Sequence, residues 1–281
     1  MKIHYKLTPA IPTEQRHAYM AHALSLGFPR LQAVPIDEHK SISIACYGPS
    51  LADTWQDIQR PIISVSGALH FLAERGIVPD YHVDVDPRAE KAKQLTPAID
   101  GVHYIMASCC HPDVWNVLQG QQVSLIHAYS APSTPDWIAR NDPGGFAVRP
   151  GSTVGMMAIH VGGLLGYRHF EVHGMDGSIR NGERHAGPHY GHKQGGLTWD
   201  AGGVTYQTSK IMANACSEVI NTLRQFPIFC VFHGQGLQQA LIDEEYDLDN
   251  AALAGTPKAE LVRKGKIAFI IPEQEYRAAI G

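Results

Sequence analysis

This chain has no run of apolar residues approaching the roughly eighteen that a membrane-spanning helix needs, which argues against a helical membrane protein. Its first residues, Met-Lys-Ile-His-Tyr-Lys-Leu, lack the apolar core of a signal peptide, so the expected compartment is the cytoplasm. There is no large excess of one charge: 23 Lys and Arg stand against 27 Asp and Glu, a formal net charge of −4, and no stretch concentrates basic residues. Nucleic acid is therefore not an expected partner. Cysteine is scarce and odd in number, at five. Cys46, Cys216 and Cys230 sit in apolar or helical surroundings that favour a buried, reduced thiol. Cys109 and Cys110 are adjacent, which suits neither an ordinary disulfide nor a Cys-x-x-Cys zinc site. No disulfide framework is expected.

What is present is a soluble globular composition: 281 residues, 44% hydrophobic and 18% charged, enough for one large domain or one domain with accessory segments. A short helix is expected from Glu14 to Leu26, with Tyr19, Ala23 and Leu26 on one face. From Ile42 the chain alternates short apolar runs with helical stretches. Strands are expected at Ile42 to Tyr47, Pro61 to Val65, Tyr81 to Val85, His103 to Ala107, Val123 to His127, His169 to His173 and Pro227 to Phe232. Helices are expected from about Ala52 to Ile58, Gly67 to Arg75, 88 to 97, Pro112 to Leu118, Val154 to Leu165 and Ser209 to Gln225, with a polar loop through Pro132, Pro135, Pro143, Gly144 and Gly145. This alternation predicts an α/β fold, a Rossmann-like, mostly parallel sheet with helices on both faces. Residues 1–40 read as an N-terminal extension, 41–234 as the nucleotide-binding catalytic domain, and 235–281 as a C-terminal appendage of short helices and loops. There is no internal repeat.

Four segments carry chemistry. Gly48-Pro49-Ser50-Leu51 follows the first strand; Gly48 allows close backbone approach to a ligand, and Ser50 can cap the next helix and turn free N–H groups towards an anion, although an ordinary strand-to-helix turn needs the same residues. It is neither Gly-x-Gly-x-x-Gly nor a Walker A loop. In Pro79 to Pro87, alternation puts Asp80, His82, Asp84 and Asp86 on one side of an extended segment. Asp86, at the carboxyl end, is best placed for a ribose hydroxyl or a divalent ion, while Asp80 fits a structural turn equally well. Pro150-Gly151-Ser152-Thr153-Val154-Gly155 opens a helix with small residues and two hydroxyls, a cradle for phosphate that also caps the helix.

The fourth is the stretch 173–192, which holds His173, His185, His189 and His192 together with five glycines and Pro188. Histidine titrates nearest neutral pH, so these side chains suit acid, base or ligand roles. Gly187, Pro188 and Gly191 oppose the helix on which the His185, His189 and His192 spacings would converge on zinc, so a general base is favoured over a metal site. Asp176, where the strand leaves the sheet, is the carboxylate expected to orient a hydroxyl or a histidine.

Taken together, Gly48-Pro49-Ser50-Leu51, the segment from Gly76-Ile77-Val78-Pro79-Asp80-Tyr81 to Asp86-Pro87, and the segment from Gly166-Tyr167 to Gly174-Met175-Asp176 resemble the 6-hydroxymethylpterin diphosphokinase MptE-like family, formerly a domain of unknown function (DUF115), which includes motility-associated glycosyltransferases. The resemblance covers roughly 41–235. With Gly151-Ser152-Thr153-Val154 and His189-Tyr190-Gly191-His192 added, the chain is also similar to bacterial sialyltransferases that use CMP-activated nonulosonic acids (GT42-like). That resemblance implies that His192 is the general base. The His-Tyr-Gly-His segment is one residue shorter than in that family, and the loop from Asp176 to His189 carries no tyrosine, so His185 or Arg184 would take over the electrostatic work at the leaving phosphate.

The resemblance implies a transferase, most directly glycosyl transfer from a CMP-sugar to a hydroxyl on a small molecule or glycan. The catalytic set is His192 and Asp176 with His189 and His185. The nucleotide is expected across Gly48, Pro49, Ser50, Ser66, Gly67, Asp86, Gly151, Ser152, Thr153 and Asp176. No metal ligands and no required cofactor are implied, and homo-oligomers are compatible with it. A diphosphokinase moving diphosphate from ATP to a hydroxymethylpterin-like alcohol would need Mg²⁺, with Asp84, Asp86 or Asp176 as ligands. A nucleotide-binding protein without turnover is the third reading.

Overall fold

Short β-branched and apolar runs bounded by glycine, proline and polar turns become the strands of the sheet. The computed structural model describes residues 10–37, 39–187, 196–225 and 228–252, with backbone alone for 224–225 and 245–252. In chain order the strands are β1 (Ser41–Ala45), β2 (Ile62–Val65), β3 (Tyr81–Asp84), β4 (His103–Ala107), β5 (Gln122–Ala128), β6 (Ala147–Val148), β7 (His169–His173), β8 (Leu197–Ala201), β9 (Val204–Thr208) and β10 (Phe229–His233). The helices are α1 (Thr13–Ser25), α2 (Leu51–Thr54), α3 (Ala68–Ala73), α4 (Glu90–Gln94), α5 (Pro112–Val117), α6 (Thr134–Asn141), α7 (Val154–Leu164), α8 (Lys210–Gln225) and α9 (Leu237–Ala252).

Eight strands form one parallel sheet in the order β10-β7-β1-β2-β3-β4-β5-β6. Both faces are covered, and the register shows how. Ile42 and Ile44 of β1, with Ile63 and Val65 of β2, enter the main apolar cluster with Met156, Met157 and Ile159 of α7. Ala45 and Ile62 point into a second cluster with Leu51, Phe71 and Leu72 of α2 and α3. Because successive side chains leave a strand on opposite faces, a sheet packed on both sides must be apolar at nearly every position. Ile44 and Ile63 are fully buried; truncating either to alanine would cost about 2–5 kcal/mol. The fold is the Rossmann-like α/β arrangement expected from the strand-helix alternation.

The chain steps outward from β1 to β6, and α7 then carries it back to β7 on the other side of β1. Connections leaving β1 and β7 diverge there, and a parallel sheet opens a crevice at such a reversal, beyond its carboxyl ends.

Several local expectations change. The 132–145 stretch is not a plain loop: Pro135 stands in the first turn of α6, where its missing N–H costs nothing, and Trp137 and Ile138 are buried. The helix expected over 88–97 contracts to α4. Leu26 is 42% exposed, and the buried face of α1 carries Met20 and Ala23. Of the expected C-terminal appendage, the described residues after Gly234 form the helix α9, and residues 253–281 lie outside the described residues. An antiparallel β8–β9 hairpin stands outside the expected strand-helix alternation; it turns on Gly202 and Gly203, both at positive φ (56° and 74°). Two adjacent residues at positive φ form the turn whose twist matches a hairpin, and Gly-Gly supplies it without strain.

Candidate functional site

At the carboxyl ends of β1, β2, β3 and β7 lies a cavity of about 490 Å³. The loops after these four strands form its floor, and Gly151 to Gly155, leading into α7, with Met212, Cys216 and Val219 of α8, close one side.

The loops after β1 and β7 are fastened together by backbone bonds. Cys46 N–H donates to the His173 carbonyl and Gly48 N–H to the Gly174 carbonyl, both at 2.8 Å. The Ser50 N–H donates to Asp176 Oδ2 at 2.9 Å. A Cβ on Gly48 would overlap that carboxylate oxygen and the Gly174 carbonyl, so only glycine allows the approach. Asp176 is 7% exposed, and burial pushes its carboxyl above the usual range, with the Ser50 hydrogen bonds opposing the shift. Its carbonyl accepts from Gln238 N–H at 2.9 Å, which brings α9 to the cavity. Ser50 does not cap α2 through its side chain; its own backbone is helical (φ −70°, ψ −14°), not the extended form a cap residue adopts.

At the second corner, Asp84 is almost wholly buried. Its Oδ1 accepts from the N–H groups of Val85 (2.7 Å) and Asp86 (3.0 Å), and its Oδ2 lies 2.9 Å from Lys91 Nζ. Burial pushes the Asp84 carboxyl upward, but the Lys91 ammonium and the hydrogen bonds outweigh it and hold it below the usual value. Asp86 is gripped by Arg88, whose Nε reaches Oδ1 at 2.9 Å and Oδ2 at 3.0 Å. Asp80 stands at the opposite end of β3, where it accepts from Ile62 N–H (2.7 Å) and pairs with Arg60, a structural turn role. His82 is buried against Ser64 Oγ (3.0 Å), and burial drives its pKa down to about 4. Ser66 lies in the cavity wall with φ +52°; Gly67 follows it, packed against the Tyr47 ring.

At the third corner, Thr153 caps α7, accepting from Met156 N–H at 3.3 Å. Ser152 does not cap: its N–H and hydroxyl both go to Glu218 of α8, and Asn214 Nδ2 donates to its Oγ at 3.3 Å. A carboxylate of the chain itself therefore occupies the Ser152 donors expected to face a phosphate.

The loop after β7 is irregular, as its glycines and Asn181 predict. Arg180 and Glu183 exchange backbone hydrogen bonds (2.9 Å each) around Asn181 and Gly182, both at positive φ. Arg180 clamps this loop to the β1 loop, donating to the Pro49 carbonyl at 2.8 Å and pairing with Asp53. His185 stacks on Tyr47 with ring centroids 5.5 Å apart, and its Nδ1 is 3.3 Å from the Tyr47 carbonyl; burial lowers its pKa. His185 and Arg184 line the cavity. His189 and His192 lie outside the described residues. His173 is not at the cavity wall; it is buried in β7, its ring 4.2 Å from that of His233. Among the described residues no three His, Cys, Asp or Glu side chains gather as a metal site.

Of the expected site residues, the structure places Gly48, Ser66, Asp86, Gly151, Ser152, Thr153, Asp176 and His185 on one cavity, with Pro49, Ser50 and Gly67 in the loops behind it. Lys91 and Arg88 line the same cavity, as does Arg184, the residue expected to act at the leaving phosphate.

A family model described as 6-hydroxymethylpterin diphosphokinase MptE-like matches residues 23–182. A comparison with curated proteins finds no match. Among solved structures the chain is similar to the MAf glycosyltransferase from Magnetospirillum magneticum AMB-1, with a TM-score of 0.63 and 17% identity over 86% of this chain. The match takes in 42% of that protein, so the chain spans less than half its length, and at this identity the likeness is one of fold.

Proposed function

Since the chain belongs to the 6-hydroxymethylpterin diphosphokinase MptE-like family, we propose that it is a transferase that binds a nucleotide-activated donor in the crevice between the β1 and β7 loops. The observation that carries this reading is the cavity's position at the strand-order reversal, with the Gly48 and Gly174 backbones in contact beside Asp176 on one wall and Lys91, Arg88 and Arg184 on another. Such crevices accept nucleotides because glycine lets the ligand approach the backbone and cations meet the phosphate. The protein of similar fold from Magnetospirillum magneticum AMB-1 is a glycosyltransferase, which supports glycosyl transfer.

The donor that fits best is a CMP-sugar, transferred to a hydroxyl acceptor. Lys91 and Arg88 are already met by Asp84 and Asp86, so the wall offers little surplus positive charge. That suits the single phosphate charge of a CMP-sugar better than the triphosphate of ATP. An ATP-dependent diphosphokinase would need Mg²⁺ to offset the triphosphate. Asp84 and Asp86 are engaged with the two cations, and the described carboxylates do not form an open oxygen cage for that ion.

In this reading His192 takes the acceptor proton, as the family resemblance implies, and His185 stands at the phosphate side with its Nδ1 turned to the Tyr47 carbonyl. Arg180 and Asp176 hold the two loops in register. Residues 41–234 carry the donor site, with Ala10 and Gln238 reaching the cavity from the flanking segments.

Thermal shift with CMP, CDP, ATP and GTP, each with and without Mg²⁺, tests the reading. A ligand at about 100 times its Kd adds roughly 2.7 kcal/mol to stability. Metal-independent stabilisation by CMP is expected. Stabilisation by ATP only with Mg²⁺ replaces the glycosyl reading with the diphosphokinase, and no shift with any nucleotide overturns the donor site.

A further inference from the structure

Gln238 is 1% exposed and lines the cavity, yet its Nε2 has no hydrogen-bond partner. A carboxamide brings two donors and an acceptor oxygen into the fold, and a buried donor is expensive to leave unmade. The main chain around it is held firmly. Gln238 N–H donates to the Asp176 carbonyl at 2.9 Å, and Leu237 N–H to Ser178 Oγ at 3.2 Å. A Cβ on Gly236 would meet the Asp176 Cα and carbonyl oxygen at 2.7 Å, so the start of α9 is packed directly on the loop after β7. The backbone fixes where the carboxamide stands, and the bond that carries it lets it turn over to present either its NH2 or its oxygen. A buried amide fixed at a cavity wall without a partner in the fold is accounted for by what enters the cavity.

Cys216 of α8 is its neighbour: the Cβ position of Gly177 lies within 4 Å of both Cys216 Sγ and Gln238 Cβ. Met212, Ala215, Cys216 and Val219 have the i, i+3, i+4, i+7 spacing of one helix face, and all four line the cavity. The lining cations, Arg88, Lys91 and Arg184, all come from outside α8 and α9. That end of the cavity is thus an apolar stripe bordered by one amide. A flat heteroaromatic ring suits the pairing: its face lies on the stripe and the Met212 and Cys216 sulfurs, while a donor beside an acceptor on its edge meets a carboxamide with two hydrogen bonds. We infer that α8 and Gln238 form the base subsite of the crevice: the nucleobase of the donor lies on the Met212 to Val219 stripe, and the Gln238 carboxamide reads its edge. This rests on the reading of the crevice as a nucleotide-donor site and says which end of it takes the base.

Calorimetry with CMP and AMP, and with ribose 5-phosphate as a competitor of CMP, tests it. Gln238→Met, close in volume, is expected to weaken CMP about tenfold, the worth of the hydrogen bonds lost at a buried edge, and to leave ribose 5-phosphate, which has no base, unchanged. Without ligand the same variant is expected to melt at or above the wild-type temperature, since the carboxamide gives up no partner in the fold. A glutamine with a purely structural role would lower it. Met212→Ala, at a partly exposed side chain, is expected to weaken CMP about threefold and to spare ribose 5-phosphate; it carries the test if Gln238→Met does not fold. Unchanged CMP binding in these variants, or equal loss for CMP and ribose 5-phosphate, overturns the base subsite while leaving the donor-site reading standing. AMP bound more tightly than CMP, and weakened by Gln238→Met, keeps the subsite and overturns the CMP donor. A wild-type protein that binds no nucleotide overturns both.

Discussion

Ser50 and Asp176, separated by 126 residues, are joined by a hydrogen bond from the Ser50 N–H to Asp176 Oδ2 at 2.9 Å. The bond ties the loop leaving the central strand to the loop leaving the strand laid beside it last, so the crevice wall forms only when β7 has docked on β1. One carboxylate thus links topology to site geometry.

That carboxylate is held at a cost. Its pKa is raised by burial, so the folded protein binds this proton more tightly than the unfolded chain. The fold therefore loses stability as pH rises through the folded pKa, and at neutral pH the charge is a burden. Asp176→Asn removes the charge and keeps an oxygen for the Ser50 N–H. Its melting temperature at pH 7.5 should equal or exceed that of the wild type. Asp176→Ala leaves the buried N–H without an acceptor and should cost about 1–3 kcal/mol. If the asparagine variant is destabilised as much as the alanine variant, the carboxylate is not the burden described.

Two glycines separate space from propensity. Gly48→Ala would drive its Cβ into Asp176 and the Gly174 backbone, neither of which can retreat without breaking the loop pairing. Destabilisation of about 1–3 kcal/mol is expected from such overpacking. Gly163, near the end of α7, has nothing within 4 Å of its Cβ position. There Gly163→Ala should raise stability by about 0.5–1 kcal/mol, because alanine loses less freedom on entering a helix. Urea unfolding of the two variants with unchanged slope would show both effects as shifts of midpoint in opposite directions.

The sheet was legible because a strand buried on both faces leaves an unbroken apolar run. His103–Ala107 and His169–His173 match their strands at both ends. The start of α7 was legible from its small residues, but the division of labour was not: Thr153 caps, and Ser152 turns to a glutamate 66 residues away. The surroundings of Lys91 were hidden for the same reason, since Ser66 comes from the loop after β2 and is met only after the sheet forms. The β8–β9 hairpin could have been read from Leu197, Trp199 and Ala201 alternating up to Gly202-Gly203.

Ser108, His127 and Asp142 are connected like a hydrolase triad: Ser108 Oγ to His127 Nδ1 at 2.7 Å, then His127 Nε2 to Asp142 Oδ2 at 2.8 Å. The serine is fully buried, and Asp142 also pairs with Arg30 at 2.7 Å, so the chain of bonds fastens the segment after α1 to the sheet. A fluorophosphonate probe should leave the folded protein unlabelled; reaction at Ser108 would show that the site opens. Asp142→Ala, which strands a buried histidine, should lower stability by about 1–3 kcal/mol without exposing the serine.

Acid should unfold this protein earlier than its carboxylates alone require. Burial lowers His82 to about 4 and His173 to about 3, against roughly 6.5 in an unfolded chain. Between those values the unfolded chain binds protons that the folded one refuses. Each histidine's contribution is complete above pH 6.5 and is lost as pH falls towards its folded value, at up to about 1.4 kcal/mol per pH unit. His103, His160 and His185 are also lowered and steepen the same limb. His173 faces His233, which pairs with Glu171, whereas His82 faces Asp84, Lys91 and His70. His173→Phe keeps a ring stacked on His233 and removes one titrating group. Urea midpoints measured at pH 7, 6 and 5 should fall less steeply in this variant than in the wild type, by about one proton's worth of slope. An unchanged slope would mean that His173 is protonated as readily in the fold as in the open chain.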